Sequence, residues 1–231
     1  MVDARLFIRC ARLSALPDSL LTAQRVETVR MLDAALADLD ELLTGRPAPS
    51  TGAPADSDDL ARVRLLISAL GVTTTAHLIG NAVLALLDHP DQWERLRESP
   101  GLAAAAVRES LRYDPPVHVE ARVARQEVEL AGQTLPKGAH VAVLTAAIGR
   151  DPARHPEPDR FDITRAHAAA PIAFPGGPHH DPIVALATLQ AEGALRTLTE
   201  LMPHLRRTAP IVYPRRRPVN RGPLEVPASA S

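Results

Sequence analysis

The spacing of apolar residues divides the chain into a helical first half and a mixed second half. Between Ala23 and Thr44 apolar residues recur three or four positions apart with acids between them, the pattern of an amphipathic helix. From Leu60 to Leu87 nearly every residue is apolar or small; Asp58 or Asp59 can cap the start, and Asp88-His89-Pro90 ends the segment. The pattern predicts a long buried helix of about 40 Å.

A turn-forming segment separates these two helices. Residues at about 45–59 are rich in Pro, Gly, Ser, Thr and Asp, which predicts a flexible connection. The chain has 22 prolines, concentrated between residues 115 and 227, so we expect a loop-rich second half. We expect one domain over residues 1–231, because this length suits a single core.

Composition excludes several classes of partner. With 45% apolar residues, 23% charged residues and a net charge of −1, nothing in the charge balance favours nucleic acid or an anionic membrane. Arg62, Arg64, His77 and Asn81 make residues 60–87 a poor membrane span. The single Cys10 cannot form a disulfide within the chain, and no secretion signal opens the sequence, so we expect a cytoplasmic protein.

Several short motifs follow one another in the second half. In chain order they are Arg108-Glu109-Ser110-Leu111-Arg112 with the turn Tyr113-Asp114-Pro115-Pro116, a strand pair over 121–138, Gly149-Arg150-Asp151-Pro152, Pro158-Asp159-Arg160-Phe161, and the loop Ala173-Phe174-Pro175-Gly176-Gly177-Pro178-His179-His180-Asp181-Pro182. In this order they resemble the ExxR helix, strand pair, meander and haem loop of the cytochrome P-450 family. The resemblance implies a mainly α fold with a small β component, a truncated P-450-like fold that corresponds to the family's C-terminal half.

The chain departs from this family where the oxidation chemistry is performed. Asp181 stands where the resemblance places the iron-ligating cysteine, in a loop that otherwise keeps Phe174, Gly177 and His179. A carboxylate cannot supply the electron donation of a thiolate. In the long helix Thr74 matches the family's relay threonine, but Thr73 replaces the acid beside it. A hydroxyl cannot exchange protons near neutral pH as a carboxylate does.

We therefore expect no catalytic residues and no bound cofactor. Arg122 and His179 occupy positions that contact haem propionates in the family and are interpreted as relics. An inert haem held by His179 or His180 is an alternative, which Pro175 and Pro178 disfavour because they stiffen the loop. Zinc is also disfavoured: adjacent histidines diverge, and no Cys or paired acid completes a site, so we expect no metal.

The scaffold residues, in contrast, match the family. Glu109 and Arg112 are one helical turn apart and share a face. The resemblance pairs them and makes Arg160 the third member of a buried ion network. Buried charges of this kind persist only when they are paired. An ordinary surface pair is the alternative interpretation.

The resemblance is closest to haem-free P-450 homologues that bind and activate deoxysugar glycosyltransferases in macrolide and aromatic polyketide biosynthesis. It implies an auxiliary subunit in a heteromeric complex, with a homodimer as a further possibility. The alternatives are a haem-binding or cryptic enzyme and one half of a split P-450-like protein. If half the family fold is absent, we expect a partner to cover the apolar residues of the long helix: Leu65, Leu66, Ile67, Leu70, Leu78, Ile79, Val83 and Leu86.

Overall fold

The predicted long helix lies at the centre of the fold. The structure, a computed structural model, describes residues 58–166, 180–213 and 219–230, with side chains from residue 71 in the first of these ranges and from residue 184 in the second. Helix α1 spans Asp58–Asp88, so the predicted helix is confirmed and both candidate capping acids lie within it. The expected helix at 23–44 and the connection before residue 58 lie outside the described residues.

Two shorter helices follow α1 and pack beside it. Helix α2 (Pro90–Glu98) starts at a proline, which suits the first helical position because no N–H is needed there. A 3₁₀ turn at Pro100–Leu102 leads into α3 (Ala103–Tyr113). The indole of Trp93 is buried and donates its N–H to the carbonyl of Pro203, 3.0 Å away, which joins α2 to the C-terminal part of the chain.

The core is formed by one face of each of these helices and by α5 (His180–Leu201). Ala187 and Ala191 of α5 are fully buried, and side chains this small allow α5 to approach α1 closely. Each fully buried Leu, Val or Phe contributes roughly 1.5–3 kcal/mol. The core also includes Leu78, Leu86, Leu96, Val107, Phe161, Ile163 and Leu195.

The expectation that α1 leaves its apolar residues uncovered is wrong for the part whose side chains are described. Leu78 and Leu86 are fully buried, Val83 is nearly so, and Ile79 packs against the core. Helices α3 and α5 of the same chain cover this part of α1. The side chains of Leu65 to Leu70 lie outside the described set.

The strands form small antiparallel pairs. Strands β1 (Glu120–Val123) and β4 (His140–Val143) pair with Glu120 opposite Val143. Between them β2 (Val128–Leu130) and β3 (Gln133–Leu135) form a hairpin with Leu130 opposite Gln133. We call residues 120–143 the β arm. The short helix α4 (Thr145–Ile148) follows it.

The C-terminal segment is held against α1. Strands β5 (Arg206–Arg207) and β6 (Ala228–Ser229) pair, and the residues between them return to the central helix. The Asn81 amide donates to the carbonyls of Asp114 and Arg221 at 3.0 and 3.1 Å. Gly222 lies so close to His77 that an added Cβ would be 2.2 Å from the imidazole ring, so only glycine fits there. No helix among the described residues is long and apolar enough to cross a membrane.

Candidate functional site

An ion pair without solvent contact lies at the centre of the molecule. Glu109 and Arg112 face the same side of α3, and both side chains are 0% exposed. Arg112 donates from Nε to Oε2 and from Nη2 to Oε1 of Glu109, both at 2.8 Å. The planar guanidinium thus binds the carboxylate with two parallel hydrogen bonds, the strongest geometry for such a pair.

The remaining donors of Arg112 bind the meander. Nη1 donates to the carbonyls of Gly149 and Pro158, both at 2.7 Å, and Nη2 donates to the carbonyl of Arg160 at 3.0 Å. An added Cβ on Gly149 would lie 2.0 Å from the Arg112 carbonyl, so the close approach of these two backbones requires glycine. The buried charge therefore holds three carbonyls of the irregular meander, whose own backbone hydrogen bonds form short turns.

The third member of the network is Arg165, and the prediction for the Arg160 side chain is wrong. Arg165 Nε donates to Glu109 Oε1 at 3.2 Å, and its side chain is 13% exposed. The Arg160 guanidinium is 58% exposed and contacts Glu157 and Asp162 instead. Arg160 contributes to the network only through its backbone carbonyl, because the chain turns after it and brings Arg165 inward.

Two titratable groups near the network, Asp162 and His155, have lowered pKa values. Hydrogen bonds from Thr164, followed by the charges of Arg160 and Arg165, hold the pKa of the Asp162 carboxyl below its usual range. Burial lowers the pKa of His155, and the charges of Arg112 and Arg165 act in the same direction. The lowered pKa values favour the ionised form of Asp162 and the neutral form of His155.

A cavity of about 660 Å³ opens between the end of α1, the end of α3 and the C-terminal segment. Its charged side chains already have partners within the chain. His118 and Arg221 both contact Asp114, at 2.9 and 3.3 Å, and Arg150 contacts Asp159 at 2.6 Å. The lining is thus organised as structural ion pairs, an arrangement that stabilises the fold and does not resemble an activated nucleophile with its base.

The described residues at the positions that the resemblance assigns to haem chemistry are buried or paired within the chain. Thr73 and Thr74 are buried in α1, and Thr74 Oγ1 donates back to the Gly71 carbonyl at 3.4 Å. Arg122, interpreted as a relic of propionate binding, is paired with Glu120 of the same strand. A propionate would have to compete with this internal carboxylate.

The loop that carries Asp181, at the position of the family's iron-ligating cysteine, is only partly described. Asp181 lies in the first turn of α5, but its side chain is outside the described set, as are Phe174, Gly177 and His179 entirely. Among the described residues no group of His, Cys, Asp or Glu side chains is arranged to hold a metal ion. The described part of the site thus contains the buried ion network, together with Thr73 and the paired Arg122 at two positions that the resemblance assigns to haem chemistry.

Comparison with known proteins identifies this architecture. The family described as Cytochrome P450 matches residues 101–169, which include α3, the β arm and the meander. The crystal structure of Mycobacterium smegmatis CYP164A2 in its ligand-free state superposes with a TM-score of 0.82 and 30% identity, over 98% of this chain and 62% of that one. This chain is a cytochrome P-450-like protein.

Two curated relatives extend the similarity of the P-450-like protein to nearly its whole length. Protein DesVIII from Streptomyces venezuelae is 56% identical over 221 residues, 95% of this chain and 52% of the relative. Protein AknT from Streptomyces galilaeus is 40% identical over 220 residues, 91% of this chain and 49% of the relative. The chain therefore spans about half the length of the curated relatives it matches. The predicted mainly α, P-450-like fold is confirmed.

Two residues of the site were missed by the sequence reasoning. Glu120 could have been found, because residues two apart on a strand share a face and Glu120 precedes Arg122 by two. Arg165 follows Asp162-Ile163-Thr164, in which the Asp162 carboxylate accepts hydrogen bonds from the N–H and hydroxyl of Thr164. That Asp-x-Thr turn was a usable signal that the chain reverses before Arg165.

Proposed function

We propose that this P-450-like protein is a non-catalytic auxiliary subunit that acts in the cytoplasm. In this proposal it binds and stabilises a deoxysugar glycosyltransferase of macrolide or aromatic polyketide antibiotic biosynthesis. The sequence resembles the haem-free P-450 homologues with that role. The similarity to Protein DesVIII and Protein AknT over more than nine-tenths of the chain supports a dedicated subfamily.

One observation carries the proposal: the chain keeps the structural ion network of the family but has different residues at the positions of its haem chemistry. The buried network of Glu109, Arg112 and Arg165 is complete, whereas Asp181 stands at the ligand position and Glu120 neutralises Arg122. A buried ion pair is strongly destabilising when one partner is lost, so its retention indicates a fold under functional constraint. A fold that keeps its structural network but lacks the iron-ligating cysteine fits a binding role.

A helper of this kind acts by mass action. A protein that binds only the folded form of its partner stabilises that form by RT ln(1 + [L]/Kd), about 2.7 kcal/mol at a hundredfold excess over Kd. The transferase is then expected to unfold less and to turn over faster when the helper is present.

Complex formation with a transferase tests the proposal. The probe is the deoxysugar glycosyltransferase encoded nearest to this chain in its own genome, mixed with the purified protein and analysed by size-exclusion chromatography with light scattering. We expect one heteromeric species and a higher melting temperature of the transferase. Separate elution of the two proteins, with an unchanged transferase melting temperature and rate, would refute the proposal.

A further inference from the structure

The exposed apolar residues of the P-450-like protein lie on several surfaces of its described part: the β arm, the C-terminal segment, and α5 with the residue after it, where Leu186, Leu189, Leu201 and Met202 are 40–71% exposed. Val123, Val128, Leu130 and Leu144, within or next to the arm, are each between 42% and 56% exposed. The apolar residues of the central helix, in contrast, are covered by the chain's own helices where they are described. The arm differs from α5 because its strands have exposed edges, which can pair with an added strand.

The hairpin at the tip of the arm has one apolar face and one acidic face. Val128 and Leu130 point to the same side of β2, and Leu135 lies opposite Val128 on β3. Glu127 and Glu129 alternate with them and point to the other side. Both strands are exposed along almost their whole length, so neither face of the hairpin is covered by the described core.

Such a hairpin is incomplete as an isolated element. A two-stranded sheet is at best marginally stable in water, and its outer edges carry unpaired N–H and C=O groups that can accept another strand. Strands β2 and β3 pair only with each other among the described strands.

The charge pattern disfavours a second copy of this chain as the occupant. If two β2 edges paired antiparallel about a twofold axis at Val128, Glu127 of one copy would face Glu129 of the other. Like charges directly opposite one another destabilise a strand pair. A different partner with basic side chains beside apolar ones would complement the same edge.

We propose that the β arm is the docking surface for the glycosyltransferase, and that the partner contributes an extended segment with apolar and basic side chains. This inference rests on the proposed function. The main-chain groups of β2 would provide affinity, and Val128, Leu130, Glu127 and Glu129 would select the sequence that pairs with them.

Matched variants of exposed leucines test the surface. Leu130→Ser removes the apolar contact on the arm, and Leu189→Ser changes a leucine on α5 that is 66% exposed, against 56% for Leu130. The affinity of each for the same glycosyltransferase is measured by isothermal titration calorimetry. We expect Kd to rise about tenfold or more for Leu130→Ser and to change less than about twofold for Leu189→Ser. Glu129→Lys is expected to weaken binding most at low salt.

Amide hydrogen exchange of the wild-type complex provides a readout that does not depend on the variants folding. Slower exchange in residues 120–143, with α5 unchanged, supports the inference. Wild-type affinity in Leu130→Ser, or protection confined to other segments, overturns the inference and leaves the auxiliary function standing. Absence of any complex with the wild-type protein overturns both.

Discussion

Removing the carboxylate of Glu109 should destabilise the P-450-like protein severely. In Glu109→Ala the guanidinium of Arg112 stays fully buried but loses two hydrogen bonds of 2.8 Å and its counter-charge. Orphaning one member of a buried ion pair costs about 3–5 kcal/mol. The backbone N–H of Asp162, which donates to Glu109 at 3.0 Å, also loses its acceptor, a loss of about 1–3 kcal/mol.

Equilibrium urea denaturation measures this loss. Because stability falls by about 1–3 kcal/mol per molar urea, a loss of about 4 kcal/mol should lower the midpoint by about 2 M. Glu157→Ala is the control, since the Glu157 side chain is 71% exposed and pairs with the exposed side chain of Arg160. The Glu157 carbonyl, which accepts from Arg165, is unchanged in this variant. We expect that variant to stay within about 0.5 kcal/mol of the wild type. If Glu109→Ala also stays in that range, the network is not buried and the fold assignment fails.

Four further predictions follow from the same contacts. In the same urea assay, Arg165→Ala should lower the free energy of unfolding by about 1–3 kcal/mol, and Arg160→Ala should lower it by less than about 0.5 kcal/mol. The reverse order would show that Arg160 is the third member of the ion network. Ala131, held at a φ of 50° in the hairpin turn, is strained, so Ala131→Asn should stabilise the hairpin by about 1 kcal/mol, seen as slower amide exchange in β2 and β3. The pKa of His155 is lowered in the folded protein, so the unfolded chain binds a proton at a higher pH than the folded chain does. Stability should therefore fall as pH drops below about 6.5. His155→Gln should flatten that part of the profile of melting temperature against pH, and an unchanged profile would contradict the shift. Asp181→Cys should not produce a carbon monoxide difference band, since Glu120 still neutralises Arg122; a clear band would show that a single substitution restores the haem site.

The parts of the fold that depend on local pattern were predictable from the sequence. The helix Asp58–Asp88 follows from an unbroken apolar run between acids and His89-Pro90. The Glu109–Arg112 pair follows from helical spacing, because residues three apart share a face. Both depend on periodicity within one element.

The parts that depend on packing between distant segments were not predictable in the same way. The burial of Leu78 and Leu86 on α1 depends on the small residues Ala187 and Ala191 of α5, more than a hundred positions away. The choice of Arg165 over Arg160 depends on a turn that reverses the chain between them. The resemblance to the family predicted where the meander lies but not which side chain, that of Arg160 or that of Arg165, points inward.

The rate of the proposed glycosyltransferase partner, measured with and without the P-450-like protein and with no haem or electron donor added, tests the central claim most directly. The account predicts that the rate rises with the concentration of this protein and saturates at a defined ratio, and that added haem changes nothing. A rate that does not respond to the protein, or that responds only when haem and an electron donor are supplied, would contradict the account.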